Sequence, residues 1–200
     1  LPNGTGEVNE AGIRFYSDLI DEMREYGIEP YVTLYHWDLP QALFERGGWV
    51  SDEMPDWFYR YARLIGERFG DRVKHFITFN EPQCFIGNGF NGGGHAPNLH
   101  YGPREVIRMA HHVMLAHGMA VNAMREVRDD IKIGYAPTGP YFYPENPENQ
   151  ADIDVAYEKT FETTDGGDWF GWTVAWWLDP ILLGKYPEDG LKIYEKYLPT

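Results

Sequence analysis

Two short stretches hold the residues best equipped for chemistry: Tyr35-His36-Trp37-Asp38 and Thr78-Phe79-Asn80-Glu81-Pro82. Each joins an apolar run to hydrogen-bonding groups, a histidine beside an indole in one and an asparagine beside a carboxylate in the other. Sugars need that combination, because their hydroxyls take polar partners while their C–H faces pack on aromatic rings. Pro82 is expected to bias Glu81 to extended backbone and so to aim its side chain. Taken alone, Glu81 has a second reading, as a strand-end carboxylate in water or one paired with an arginine.

Other chemistry-bearing patterns fail on context. Gly87-Asn-Gly89-Phe-Asn-Gly92 fits the G-x-G-x-x-G string of dinucleotide-binding proteins, the strongest sign of a rival class, a nicotinamide-dependent oxidoreductase. The string does not directly join a strand to a helix, and Gly93, Gly94 and Pro97 follow it. No G-x-x-x-x-G-K-[ST] loop occurs. His111, His112 and His117 share one helix, but their offsets do not stack as an i, i+4 metal-ligand pair would. They read as core or surface histidines, so no metal and no cofactor are implied. Cys84 follows Glu81 closely but has no histidine pairing that would make it a nucleophile.

The elements that must position these residues alternate along the chain. Asn9 caps an expected helix with Ile13, Tyr16, Leu19, Ile20, Met23 and Tyr26 at helical spacing, and Gly27 ends it. A strand follows over Tyr31–Tyr35, then a loop from Asp38 to about Asp52, then a helix from Pro55 to Phe69 with Trp57 in its core stripe. The pattern repeats with a strand over Val73–Phe79 and a long Gly- and Asn-rich loop over Asn80–Tyr101. A helix over Pro103–Arg128 has proline in its first turn, and a third strand covers Ile131–Ala136. Helices are expected over Ala151 to about Thr163 and Glu188–Tyr197, with a mixed stretch from Asp168 between them. Three strands, each followed by a helix, imply an α/β fold with parallel strands and right-handed crossovers. A doubly wound open sheet and a closed barrel of eight βα units both satisfy that pattern, and both place the ligand beyond the carboxyl ends of the strands.

At these strand ends the chain resembles glycoside hydrolase family 1, the β-glucosidase family. The resemblance is carried by Thr33-Leu-Tyr-His-Trp-Asp-Leu-Pro-Gln41 and Thr78-Phe-Asn-Glu-Pro82, with Pro2-Asn-Gly-Thr-Gly-Glu-Val-Asn9, Gly94-His-Ala-Pro97, Leu178-Asp-Pro-Ile181 and Gly184-Lys-Tyr-Pro187 in matching order. It covers essentially all 200 residues. It implies a partial (β/α)8 TIM barrel, about three consecutive βα units plus a preceding helix, with residues 1–200 part of a single glycosidase domain. It implies that Glu81 is the general acid/base, that Asn80 hydrogen-bonds the sugar 2-hydroxyl, and that His36 and Trp37 line the pocket of the terminal non-reducing sugar. Cys84, Asn88 and His95 fall where the family contacts the leaving group. Thioglucosidases of the family carry glutamine at the acid/base position, so Glu81 points to O-glycosides; His36-Trp37-Asp38 points to unphosphorylated sugars.

The implied activity is a retaining O-glycosyl hydrolase of β-glucosidase type, acting on β-glucosides or cello-oligosaccharides and so suited to cellulose degradation. Such chemistry needs two carboxyl groups about 5–5.5 Å apart, one to protonate the leaving oxygen and one to attack the anomeric carbon. The family's nucleophile stands in a later Glu-Asn-Gly segment, which these 200 residues lack. Asp38, Asp179 and Glu188 do not match it, and the first two read as helix or loop anchors. The 200 residues alone are therefore expected to be inactive. The alternative is a catalytically silent sugar-binding member of the same fold.

Composition narrows the partners. Seventeen Lys and Arg against 31 Asp and Glu give a net charge of −14, which repels nucleic acid and anionic membranes. The acidic excess reads as a solvated helical exterior. One cysteine excludes an internal disulfide framework. The most apolar stretch, Trp172–Leu183, is too short for a membrane span and is broken by Asp179 and Pro180. Asn3-Gly4-Thr5 fits a glycosylation sequon but reads as a turn, and no signal peptide is visible, which points to a cytoplasmic protein. The first residue is leucine, so the start reads as interior. At roughly 45 residues per βα unit, eight units need about 360, and 200 residues make little more than half a barrel.

Overall fold

The computed structural model describes residues 1–164 and 173–198. The α/β alternation is present: α1 (Glu10–Glu25), β1 (Tyr31–Tyr35), α2 (Gln41–Phe44), α3 (Met54–Phe69), β2 (His75–Asn80), α4 (Pro82–Phe90), α5 (Pro103–Val127), β3 (Lys132–Ala136), α6 (Gln150–Phe161), α7 (Val174–Leu182) and α8 (Glu188–Tyr194). Single 3-10 turns cover Gly48–Val50 and Glu195–Tyr197. The mixed stretch expected from Asp168 lies partly outside the described residues; its described part contains α7, which includes Pro180.

The strands form one parallel sheet in the order β1-β2-β3. Tyr31 pairs with His75 and Tyr35 with Phe79, while His75 pairs with Lys132 and Ile77 with Gly134. The β2–β3 register shifts between Ile77 and Asn80, so Asn80 meets Ala136 at the strand end. Asn9 caps α1 as expected: its Oδ1 accepts from the Ala11 and Gly12 amides at 3.1 and 3.3 Å. The apolar stripe of α1 is largely solvent-facing, however, with only Ile20 buried.

The chain divides into two compact units, Leu1–Asn80 with Leu115–Ala136, and Glu81–Met114 with Pro137–Thr200. The first contains the whole sheet. Its core is an aromatic cluster in which Phe79 stacks on Phe58 at 4.4 Å between ring centroids and meets the edge of Trp49 at 5.5 Å. Trp49 Nε1 donates to the Tyr35 hydroxyl at 3.1 Å, which supplies the buried indole with its partner. Trp57 is buried too, with the Arg46 guanidinium 4.1 Å from its ring centroid. Thr78, on the other face of β2, meets His117 of α5 through a 2.8 Å contact between Thr78 Oγ1 and His117 Nδ1.

In the second unit Trp176 packs on Tyr186 and Tyr194, at 4.5 and 4.7 Å. Asp189 ties α8 to the end of α6, its carboxylate accepting from the Thr163 and Gly190 amides, each at 2.8 Å. The expected loop over Asn80–Tyr101 is corrected: α4 begins directly after β2. Proline at its first position favours helix initiation, whereas Gly87 and Gly89 obscure it in the sequence. Gly89 is needed for space, because a Cβ there would stand 3.0 Å from the Ala96 carbonyl oxygen.

Candidate active site

The first group of site residues sits at the carboxyl ends of β1 and β2. His36 follows β1 directly and is exposed, and its ring lies 5.2 Å from that of the partly buried Trp37. Trp37 Nε1 donates to the Asn80 carbonyl at 2.9 Å, so the ends of the two strands are joined by a side chain as well as by the sheet. Asn80 is the last residue of β2 and is partly buried. The structure thus brings His36, Trp37 and Asn80 together.

Glu81 is the next residue along the chain and is also partly buried. Its backbone is left-handed, at φ 43° and ψ 64°, not extended as Pro82 led us to expect. The correction has a steric cause. Helix α4 starts at Pro82, so the chain must turn from strand to helix within one residue, and a positive φ accomplishes that. Trp37 is likewise left-handed at φ 80°. For residues other than glycine this conformation costs on the order of 1–3 kcal/mol and persists only where neighbours enforce it; such strain concentrates at functional sites. Among the described residues only Asn98 joins these two as a non-glycine with positive φ.

The carbonyl of Glu81 is held by α4, accepting from the Cys84 amide at 2.9 Å. Burial, and then the Glu81 carboxylate beside it, push the Cys84 thiol up to about 12. A thiol so hard to ionise is a hydrogen-bond donor and packing group, not a nucleophile. Asn88 is partly buried in α4, and its carbonyl accepts from the amide of the exposed His95 at 3.0 Å. The Gly87–Gly92 string lies inside and just past α4, away from any strand-to-helix turn, so its backbone has no phosphate-cradling geometry.

The remaining candidates lie elsewhere. His111 Nδ1 meets the Tyr186 hydroxyl at 2.7 Å and His117 meets Thr78. Among the described residues no cluster of three His, Cys, Asp or Glu side chains could hold a metal ion, and no helix is long and apolar enough to cross a membrane. Asp38 is exposed after β1, and Asp179 lies within α7. Asp189, beside Glu188, is a further carboxylate that holds a helix, α8, in place; nothing in the spacing of the sequence distinguishes the two.

Sequence reading also missed Gln83. Its side chain is completely buried, and both ends of its carboxamide bond one residue: Nε2 donates to the Thr138 carbonyl at 2.5 Å and Oε1 accepts from the Thr138 amide at 3.2 Å. The contact spans 55 residues of sequence, so no local signal reveals it.

The family model for glycosyl hydrolase family 1 matches residues 1–199. Beta-glucosidase A of Thermotoga maritima is 41% identical over the whole chain, and Beta-glucosidase A of Acetivibrio thermocellus is 40% identical over 98% of it. A 1,4-beta-D-glucan glucohydrolase of Thermotoga neapolitana is 38% identical over the whole chain. The chain spans 42%, 41% and 44% of their respective lengths. The solved structure of the Thermotoga maritima family 1 β-glucosidase in complex with isofagomine lactam superposes with a TM-score of 0.82 at 41% identity, over the whole of this chain and 43% of that one. With a match of this extent in both sequence and fold, the chain belongs to glycosyl hydrolase family 1.

Proposed function

We propose that this chain supplies the acid/base half of a retaining β-glucosidase site. Its substrates are β-glucosides or cello-oligosaccharides, cleaved at the terminal non-reducing β-D-glucosyl residue. The sheet and helices of residues 1–200 are then one stretch of a single (β/α)8 barrel, with β1, β2 and β3 as three of its eight strands. The observation that carries the reading is Glu81 at the end of a parallel strand, partly buried, at a strand-to-helix turn that a non-glycine residue makes at a cost.

In the first step Glu81, protonated, gives its proton to the glycosidic oxygen while a second carboxylate attacks the anomeric carbon and the aglycone leaves. In the second step Glu81, now ionised, takes a proton from water, which displaces the enzyme carboxylate and releases the sugar with its configuration retained. Asn80 holds the 2-hydroxyl, a contact that strengthens in the transition state. His36 bonds the hydroxyls of the same sugar, and the face of Trp37 packs against its C–H groups. Cys84, Asn88 and His95 lie toward the leaving group. The attacking carboxylate belongs to the part of the protein outside these 200 residues, since the relatives are more than twice as long. The isolated 200 residues do not turn over substrate.

The test is hydrolysis of an aryl β-glucoside by the full-length protein, with the product anomer followed by NMR. Release of β-glucose as the first-formed sugar supports the reading. Binding of the glucoside without turnover assigns the protein to the catalytically silent, sugar-binding alternative, and release of the α-anomer refutes the double displacement.

A further inference from the structure

We propose that Gln83 is a positioning residue for Glu81, its carboxamide holding the first turn of α4, the helix that Glu81 caps, to the backbone of Thr138. The inference rests on the reading of Glu81 given above. Gln83 is the second residue of α4, and its buried amide grips both polar groups of Thr138, two residues beyond the end of β3. Its neighbours Pro82, Phe85 and Ile86 are buried as well. A methionine or leucine would fill the space but leave the Thr138 amide and carbonyl without these bonds, so apolar packing alone does not call for the carboxamide. What the amide adds is a fixed register between the first turn of α4 and the segment after β3. Two hydrogen bonds to a single residue determine both distance and orientation, as one bond would not.

Glu81 depends on that register. Its left-handed backbone is retained only if the chain on both sides is held. On the amino side Asn80 is held by the sheet and by the Trp37 indole. On the carboxyl side α4 must be held, and the Gln83 clamp is its tie to the Thr138 backbone. Proton donation is sensitive to such placement, since a displacement of about 1 Å can cost on the order of 10²-fold.

The test uses the full-length protein and two aryl β-glucosides, one with a poor leaving group (4-methoxyphenol) and one that needs no acid assistance (2,4-dinitrophenol). Gln83→Met keeps the volume and removes both bonds. It should lower kcat/KM by about 10–10²-fold on the first substrate and by less than about threefold on the second. Gln83→Glu should lose the Thr138 carbonyl bond when ionised and regain it when protonated, so its activity relative to wild type should recover on the acid side of the profile. A merely structural role lowers both substrates together, and any acid-side recovery it gives is equal on the two. If Gln83→Met does not fold, the Gln83→Glu profile decides: no recovery, or one equal on the two substrates, overturns the proposal. Equal losses on both substrates overturn it as well, provided Glu81→Ala still discriminates between them and is rescued by azide. If Glu81→Ala itself fails to discriminate, the acid/base reading falls first and the positioning role with it.

Discussion

His117 should make the fold sensitive to acid well above the pH at which carboxylates titrate. Its imidazole, on α5, is partly buried against β2 and β3, in contact with the Thr78 hydroxyl at 2.8 Å and with its ring 5.2 Å from that of Tyr135. Burial, followed by the charge of Arg125, lowers its pKa from 6.5 to about 4. At pH 7.5 the ring is neutral in folded and unfolded chains alike and contributes nothing to the pH dependence. As the pH falls below 6.5 the unfolded chain takes up a proton that the folded chain refuses until about pH 4, so stability is lost through that window. Linkage over these values gives about 2 kcal/mol lost between about pH 7.5 and 5, an upper figure because the ring is not fully shielded from solvent.

The assay is urea denaturation of the full-length protein at those two pH values, followed by tryptophan fluorescence, for wild type and His117→Gln. Glutamine preserves a partner for Thr78 but does not titrate. The variant should lose less stability on acidification by about 1–2 kcal/mol. A variant whose loss between the two pH values equals that of wild type would refute the assigned burial of the ring.

Three further outcomes follow from the packing and the backbone. Alanine keeps the steric cost of the left-handed turn at position 81 and glycine does not, so Glu81→Gly should be more stable than Glu81→Ala by about 0.5–1 kcal/mol; a reversed order in denaturation midpoints would exclude the positive φ. Phe79→Ala removes a fully buried ring from its stack on Phe58 and should cost about 3–5 kcal/mol; a loss below about 1 kcal/mol would place that ring outside the core. With its thiol raised to about 12, Cys84 should react with iodoacetamide in the folded protein at pH 8 about 10²–10³-fold more slowly than in urea, and comparable rates would show it ionised.

The elements that could be read from the sequence are those whose boundaries and faces are set locally. β1 falls on Tyr31–Tyr35 as expected, and α5 begins at Pro103 as its first-turn proline implies. α1 starts after its Asn9 cap, because capping is a contact between near neighbours. What could not be read depends on surroundings. α4 has eight buried residues among nine, so it lacks the contrast between a wet and a dry face on which periodicity relies. The stripe of α1 has the right period but is mostly exposed, since period reports which residues share a face and not what covers it.

The site divides in the same way. His36, Trp37, Asn80 and Glu81 stand at the ends of β1 and β2, where the sequence and the family resemblance led us to expect them. The indole bond from Trp37 to Asn80 and the Gln83 clamp on Thr138 were not, because they link residues 43 and 55 apart. The backbone of Glu81 went against expectation for a related reason. The local bias imposed by Pro82 yields to the need to enter α4 within one residue, and that need is visible only once α4 is known.

The central claim, that Glu81 is the acid/base, is tested most directly by Glu81→Ala in the full-length protein. Kinetics on aryl β-glucosides of differing leaving-group ability should show a fall of about 10²–10⁴ in kcat/KM where the leaving group is poor. Where it is good, the glycosyl-enzyme should still form, and added azide should restore turnover by attacking it in place of activated water. Equal losses on both kinds of substrate, with no rescue by azide, would contradict the account.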